Sequence, residues 1–393
     1  MGCLNSDFVI HKIVILILSS VSVFCTVFHC SADDRILLDA KINGKRARLV
    51  FDSGSEDFIL WRQTVKRLGI KFTAPITNMT LTSGEVPSGF TEPCALWLEG
   101  MEGTTRFRVI NIPDYIYTNA DSYDGVVGWW NLMGNILQVD ANRMSLTPLA
   151  KIPKKIKGWT QFQIDTNSSI LKLEMPSRED PDGYAFIDTG SDFGVEIPEK
   201  QWQEWKEKNP NQPTTFATFF GADSKFVAEE EVLAGQYSIG PLVLTNVPIM
   251  EATSPQAEDA HYEGTLGLVA LRGFDLIMDG PNNAAYLRPQ KRHSSNYQYN
   301  RLGAAFVQDL QGDKLIARVA DNSPAQEAGI QNGDVLSDID GFDVWTQYAK
   351  ALKQLFMPAG TKIALTLMRN GKVFKTTATL REILGPQSKR TLK

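Results

Sequence analysis

The feature that most constrains the fold of this chain is an internal duplication. The segment Phe51-Asp52-Ser53-Gly54-Ser55 returns as Ile187-Asp188-Thr189-Gly190-Ser191, 136 positions later. A short motif ending in glycine follows each copy, first Val126-Val127-Gly128 and then Thr265-Leu266-Gly267, at an offset of 139. Because two independent motifs recur in the same order at nearly the same offset, the middle of the chain is predicted to consist of two homologous lobes.

The two lobes are predicted at residues 33–152 and 153–290, with the Lys- and Pro-rich segment 151–157 as their connector. The apolar run before each Asp motif is typical of a buried strand, and Asn43-Gly44 is a two-residue hairpin signal. Helices are expected only at residues 61–68 and 199–208. The duplicated region is therefore predicted to be mostly β.

Composition excludes several classes of function. The 393 residues include 40 Lys or Arg and 45 Asp or Glu, so there is no basic surplus of the kind that binds nucleic acid. There are four Cys and four His, and no Cys-x-x-Cys, His-Glu-x-x-His or Gly-x-Ser-x-Gly motif occurs. Zinc hydrolysis and Ser/His/Asp catalysis are hard to assemble from these residues. We therefore expect neither a metal nor a cofactor.

Residues 1–32 are predicted to be a secretory signal peptide. An uncharged run, Ile13 to Phe28, follows Lys12, and small residues precede a cleavage point after Ala32. The run is shorter than the ~18 residues of a spanning helix, so a retained membrane anchor is the alternative. Cleavage implies a periplasmic or secreted protein without a membrane span. It would leave Cys94 as the only cysteine, so no internal disulfide is expected.

The two Asp motifs suggest paired carboxylates. A single Asp-Thr-Gly is equally typical of a surface turn, but two such loops meeting at a pseudo-twofold axis would bring Asp52 and Asp188 together. Like charges that close cannot both ionise, so the pair would share one proton. One carboxylate could then activate a water as a general base while the protonated partner polarises a peptide carbonyl. Asp52 and Asp188 are therefore the candidate catalytic residues.

These motifs resemble those of aspartic peptidases of the pepsin and retropepsin type, and the stretches after Gly128 and Gly267 are similar to those of bacterial retropepsin-like proteins. The resemblance covers residues 33–290 and implies a bilobal aspartic-protease β-barrel fold with Asp52 and Asp188 as its dyad. It implies that two hydroxyl residues interlock beneath the dyad and that two serines hydrogen-bond the carboxylates. The residues that the resemblance assigns to support of the dyad are Ser53 and Thr189 (the interlock), Ser55 and Ser191 (the serines), Gly54, Gly190, Gly128 and Gly267.

The cover over the cleft is predicted from position alone. It is the hairpin around Met79 to Phe90, with Ser83, Gly84 and Glu85 near its tip, and it lacks the Tyr that pepsin-like enzymes carry there. Acidic residues follow the two Asp motifs directly. If they face the cleft they would favour basic or neutral peptides, and the alternative is that they are solvated loop charges. These acidic residues are Glu56, Asp57 and Asp192.

The C-terminal part resembles a PDZ domain of the type found in bacterial envelope proteases. It is an α+β unit at residues 301–385, after a polar linker at 291–300 and before a tail at 386–393. The resemblance rests on Asn322 to Ile330, followed by Gly333-Asp334-Val335-Leu336. It implies that backbone N–H groups of the loop Leu302 to Ala305 hold a C-terminal carboxylate, while the peptide adds as a strand beside Ala305 to Gln308, over a helix at 346–356. The alternative is a domain that only packs on the lobes. The candidate peptide-binding residues are Leu302, Gly303, Ala304, Ala305 and Phe306.

We therefore expect an exported aspartic endopeptidase that acts on protein or peptide substrates and uses a PDZ domain to bind a substrate or partner peptide. Two lobes in one chain complete the dyad, so the protein should act as a monomer. A shared proton and hydrogen-bonded carboxylates predict an acidic optimum. One alternative is a non-catalytic peptide-binding protein with a peptidase-like groove. Another is a protease that cuts a single partner.

Overall fold

A computed structural model describes residues 35–385 except 82–83, 112–122, 155–156, 178–179, 221–225, 253–254, 291–296 and 310–311. The predicted signal peptide, Ser83 and the predicted tail lie outside the described residues. The described strands form three sheets, which confirms the mostly β fold class. Within the described ranges, no helix is long and apolar enough to cross a membrane.

The first sheet contains nine strands in the order β4-β5-β8-β3-β9-β2-β1-β6-β7. The predicted hairpin at Asn43-Gly44 joins β1 to β2, and both of its residues have the positive φ that this turn requires. The strands are β1 (Leu37–Ile42), β2 (Lys45–Asp52), β3 (Phe58–Trp61), β4 (Thr77–Leu81), β5 (Gly84–Phe90), β6 (Cys94–Leu98), β7 (Met101–Thr105), β8 (Arg108–Ile110) and β9 (Gly125–Gly128).

The second sheet contains twelve strands in the order β11-β10-β20-β21-β12-β13-β14-β19-β15-β18-β17-β16. Its strands are β10 (Ile136–Asp140), β11 (Ser145–Leu149), β12 (Thr160–Ile164), β13 (Lys172–Glu174), β14 (Tyr184–Asp188), β15 (Val195–Ile197), β16 (Thr214–Phe220), β17 (Phe226–Ile239), β18 (Leu242–Glu251), β19 (Tyr262–Gly267), β20 (Phe274–Asp279) and β21 (Ala284–Pro289).

The two sheets repeat one arrangement around the Asp motifs. In the first, β2 runs parallel to β9 and pairs Asp52 with Gly128. In the second, β14 runs parallel to β19 and pairs Asp188 with Gly267. The hairpin β16–β17 holds the same place in the second sheet that β4–β5 holds in the first. Strands β10 and β11 join the second sheet through β20, and one hydrophobic core runs through both halves.

The third sheet belongs to the C-terminal unit and has its own hydrophobic core. Its strands are β22 (Ala304–Gln308), β23 (Leu315–Val319), β24 (Val335–Ile339), β25 (Phe342–Asp343), β26 (Lys362–Arg369) and β27 (Lys372–Thr379). The described α-helices are α1 (Arg62–Leu68), α2 (Glu199–Lys208), α3 (Leu268–Leu271), α4 (Pro324–Glu327) and α5 (Tyr348–Lys353), and single 3₁₀ turns lie at Trp129–Asn131, Pro255–Glu258, Gly280–Asn282 and Gln354–Phe356.

The C-terminal unit docks on the hairpin β16–β17. Ala305 of β22 and Ala320 pack against Phe216 and Ala228 of the hairpin. The guanidinium of Arg318 lies over the Phe216 ring, 5.2 Å from its centroid, and donates a hydrogen bond to the Ala228 carbonyl. This docking surface joins the third sheet to the second lobe.

Candidate active site

Buried strands deliver the two Asp residues to one place. Phe51 and Ile187 are fully buried, and each is the last core residue of its strand. Side chains alternate across a strand, so the residue after each of them leaves the core. That residue is Asp52 at the end of β2 and Asp188 at the end of β14.

Four hydrogen bonds interlock the loops behind the two Asp residues. The Ser53 N–H donates to Thr189 Oγ1 at 2.9 Å, and the Thr189 N–H donates to Ser53 Oγ at 3.0 Å. The Ser53 hydroxyl also donates to the Ile187 carbonyl at 2.5 Å, and the Thr189 hydroxyl to the Phe51 carbonyl at 3.0 Å. Serine in place of threonine loses only a methyl group, so every polar contact of the interlock is made.

The glycines of the two motifs leave room for the opposite carboxyl group. A Cβ on Gly190 would lie 2.2 Å from Asp52 Cγ, and one on Gly54 would lie 2.7 Å from Asp188 Cγ. The N–H of Gly54 donates to Asp52 Oδ1 at 2.8 Å, and the N–H of Gly190 to Asp188 Oδ1 at 2.9 Å. Each carboxyl group thus lies against the glycine of the other lobe, which places the two acids side by side.

The later glycines lie under the Asp loops. A Cβ on Gly128 would lie 2.4 Å from the Ser55 carbonyl oxygen, and one on Gly267 would lie 2.5 Å from the Phe193 carbonyl oxygen. The loop after β9 is tied to the first Asp loop by the Trp129 N–H, which donates to the Ser55 carbonyl at 3.0 Å. These contacts support the position of each Asp loop from below.

The two serines behave differently. Ser191 Oγ donates to Asp188 Oδ2 at 2.7 Å. The buried hydroxyl of Ser55 has no hydrogen-bond partner among the described residues, so the expected bond from Ser55 to a carboxylate is not formed. The Ser55 backbone is held at both ends, by Asp52 and by Trp129.

Electrostatics favour a proton on one member of the pair. Burial raises the pKa of Asp52 well above its usual range, and the charge of Asp188 and a hydrogen bond with that carboxyl group raise it further. The N–H of Gly54 and the guanidinium of Arg35 oppose this rise. Arg35 also donates to the Gly190 carbonyl, directly beside the pair. Sequence reasoning did not select Arg35, which stands three residues after the predicted cleavage point.

The predicted flap is a hairpin. β4 and β5 pair antiparallel from Thr77 with Ser88 to Leu81 with Gly84. Gly84 and Glu85 begin β5, and Ser83 lies outside the described residues. Met79 and Val86 of this hairpin pack with Ile59, Trp61, Ile110 and Val126 in an apolar cluster.

The acidic residues of the first Asp loop, Glu56 and Asp57, both have partners in the structure. Arg108 forms an ion pair with Asp57, although burial still raises the pKa of Asp57. The Ser169 hydroxyl donates to Glu56 Oε2 at 2.9 Å. Among the described residues, no group of three or more His, Cys, Asp or Glu could hold a metal ion.

The loop expected to bind a carboxylate in the C-terminal unit already holds an oxygen from its own chain. Asn300 Oδ1 accepts from the N–H groups of Leu302 and Gly303, at 3.0 and 3.2 Å, and Asn300 Nδ2 donates to the Ala304 carbonyl at 2.8 Å. The Thr215 hydroxyl of β16 donates to the Asn300 carbonyl at 2.6 Å. The sequence placed Asn300 in a linker and gave no signal for this contact beyond the turn preference of Asn.

The remaining candidate residues of this loop are buried. Leu302, Ala304 and Phe306 lie in the core of the C-terminal unit, and Ala305 packs against the hairpin β16–β17.

Comparisons with known proteins agree with both resemblances. A family model described as aspartyl protease matches residues 38–128, and one described as PDZ domain matches residues 315–369. The chain thus contains an aspartyl protease domain followed by a PDZ domain.

Curated relatives match a smaller part of the chain. The zinc metalloprotease RasP of Shouchella clausii is 31% identical over 84 residues, which is 21% of this chain and 19% of that protein. The periplasmic serine endoprotease DegP of Escherichia coli K12 is 34% identical over 73 residues, 19% of this chain and 15% of that protein. The chain spans under a quarter of the length of these relatives.

A solved structure of EIAV protease complexed with the inhibitor HBY-793 is also similar. It is 20% identical with a TM-score of 0.21, and the match covers 26% of this chain and 88% of that one.

Proposed function

We propose that this protein is an aspartic endopeptidase that hydrolyses peptide bonds with Asp52 and Asp188. The observation that carries the proposal is the placement of each carboxyl group against the glycine of the opposite lobe, above the interlocked hydroxyls. Two carboxyl groups this close share one proton, and an apolar β scaffold holds them in place.

The hydrogen bonds suggest how the proton is distributed in the resting pair. Asp188 accepts from the Gly190 N–H and from the Ser191 hydroxyl, whereas Asp52 accepts from Gly54. Burial and the charge of Asp188 raise the pKa of Asp52, so the shared proton is assigned to Asp52 in this proposal. The pair still titrates as a unit.

Hydrolysis would proceed by direct attack of water. The ionised carboxyl group removes a proton from a water as it attacks the scissile carbonyl, and the protonated group donates to the carbonyl oxygen. The tetrahedral intermediate then collapses as the leaving nitrogen takes a proton from the pair. No covalent bond to the enzyme forms at any step.

The PDZ domain would bring protein substrates or partner peptides to the lobes. We also propose that the protein is exported and acts as a periplasmic or secreted monomer. The uncharged run and the small residues before the predicted cleavage point after Ala32 favour export.

A non-catalytic peptide-binding protein is the second candidate, and the unbonded Ser55 hydroxyl favours it. Binding of a statine-type peptide separates the two. A working pair should prefer the statine hydroxyl, which mimics the tetrahedral intermediate, over its deoxy analogue by about a hundredfold or more. The Asp188→Asn variant should lose that preference. Equal affinity of the wild-type protein for both peptides would favour the binding protein.

A further inference from the structure

Glu196 lies on the same side of the second sheet as the catalytic pair. Val195 and Ile197, its neighbours in β15, face the core, so Glu196 faces the other way. It pairs with Thr265 of β19, and Thr265 pairs with Phe186 of β14. Asp188 follows two residues after Phe186, on the same face of β14.

Glu196 is a largely buried acid that has no partner among the described residues. The residue is 9% exposed, and its carboxyl group makes no hydrogen bond or ion pair within the described part of the chain. Asp188 and Glu229 are the charged groups that act on it, and both are negative. Burial and these charges raise the pKa of Glu196 to about 8. Burial of such a carboxyl group destabilises the fold unless a cation or a hydrogen-bond donor pairs with it.

The equivalent position in the first lobe is apolar. Ile59 of β3 pairs with Val126 of β9, as Glu196 of β15 pairs with Thr265 of β19. Ile59 and Val126 pack with Met79 and Val86 of the predicted flap. The two sides of the cleft therefore differ in chemistry although they share one topology.

On the basis of the proposed function, we propose that Glu196 is a specificity-determining residue that receives the cationic side chain of a Lys or Arg in the substrate. The apolar cluster of the first lobe receives an apolar side chain from the other side of the scissile bond. An ammonium or guanidinium group would ionise Glu196 and form a charge-assisted hydrogen bond in a site shielded from water. The released proton passes to solvent.

Peptide retention by a variant that does not cut provides the test. The Asp188→Asn protein is mixed with a pool of peptides in pairs that differ at one position, where one member has lysine and the other norleucine. Norleucine has a similar aliphatic side chain without the charge. Mass spectrometry measures what is retained. At one position, we expect the lysine peptides to be retained about tenfold or more over the norleucine peptides. Tenfold corresponds to about 1.4 kcal/mol of binding free energy.

Two changes at Glu196 and one control sharpen the result. Adding Glu196→Gln should remove most of the preference, and adding Glu196→Leu should reverse it. Adding Glu231→Gln should leave it intact, because Glu231 is a buried acid of β17 that already accepts a hydrogen bond from the Tyr297 hydroxyl. Thermal melting confirms that each variant is folded.

The outcomes separate the subsite from the proposed function. Equal retention of lysine and norleucine, no retention of any peptide, or a lysine preference that survives Glu196→Gln would overturn the role of Glu196. If the wild-type protein retains lysine peptides through Glu196 but cuts none of them, the subsite stands and the peptidase function fails.

Discussion

The unequal serines of the two Asp loops lead to a sharp prediction about pH dependence. In Ser191→Ala the hydroxyl that donates to Asp188 Oδ2 at 2.7 Å is lost. This bond stabilises the ionised form of the pair, so its loss favours the fully protonated, inactive form. The acidic limb of the kcat/KM profile should therefore move to higher pH.

The size of the shift follows from the kind of bond. A hydrogen bond to a charged group contributes about 1.5–3 kcal/mol, and one pH unit corresponds to about 1.4 kcal/mol. The acidic limb should thus rise by about one to two pH units. Ser55→Ala is the matched control, since the Ser55 hydroxyl has no partner in the described ranges, and it should leave the limb in place.

The assay is the rate of cleavage of one fluorogenic peptide from pH 3 to pH 8 by the wild-type protein and both variants. Near-ultraviolet circular dichroism checks that the lobes remain packed. The reasoning is refuted if Ser55→Ala moves the limb as far as Ser191→Ala does, or if Ser191→Ala leaves the limb unchanged.

Three further predictions concern other parts of the structure. Gly190→Ala places a Cβ 2.2 Å from Asp52 Cγ. It should abolish cleavage and lower the free energy of unfolding by about 1–3 kcal/mol. Gly103→Ala, which has open space around it, should do neither in the same melting and cleavage assays. Asn300→Ala frees the N–H groups of Leu302 and Gly303. A peptide with a free C-terminal carboxylate should therefore raise the melting temperature of this variant more than that of the wild-type protein. An equal rise in the wild-type protein would contradict the prediction. Burial raises the pKa of Glu231 to about 8, so the folded state holds a proton that the unfolded state has released, and stability should fall as pH rises from about 4.5 to about 8. Melting at pH 5 and pH 8 should show that Glu231→Gln reduces this fall, and an unchanged fall would count against it.

The duplication made the position of the catalytic candidates predictable. Two copies of a strand that ends in Asp at one offset imply a pseudo-twofold arrangement, and the structure places Asp52 and Asp188 on that plan. The interlock of Ser53 and Thr189 was implied by the resemblance, because the hydroxyls and N–H groups involved belong to the motif residues themselves.

What the sequence left open depends on choices that motifs do not encode. Ser55 and Ser191 occupy equivalent positions in the two motifs, yet only the Ser191 hydroxyl donates to the Asp of its own loop. Glu196 stands between two core residues, a pattern that is typical of a strand whose acidic residue faces solvent. The pattern does not indicate that this face of the strand is the one on which the catalytic pair lies. The position of Asn300 depends on how two separate units dock, which no local pattern records.

The central claim is that Asp52 and Asp188 together hydrolyse peptide bonds. Its most direct test compares the chain from residue 33 onward with its Asp52→Asn and Asp188→Asn variants on a diverse peptide pool from pH 3 to pH 8, read by mass spectrometry. The account predicts cleavage by the parent, strongest at acidic pH, and none by either variant. Cleavage that survives in either variant, or no cleavage by the parent at any pH, would contradict it.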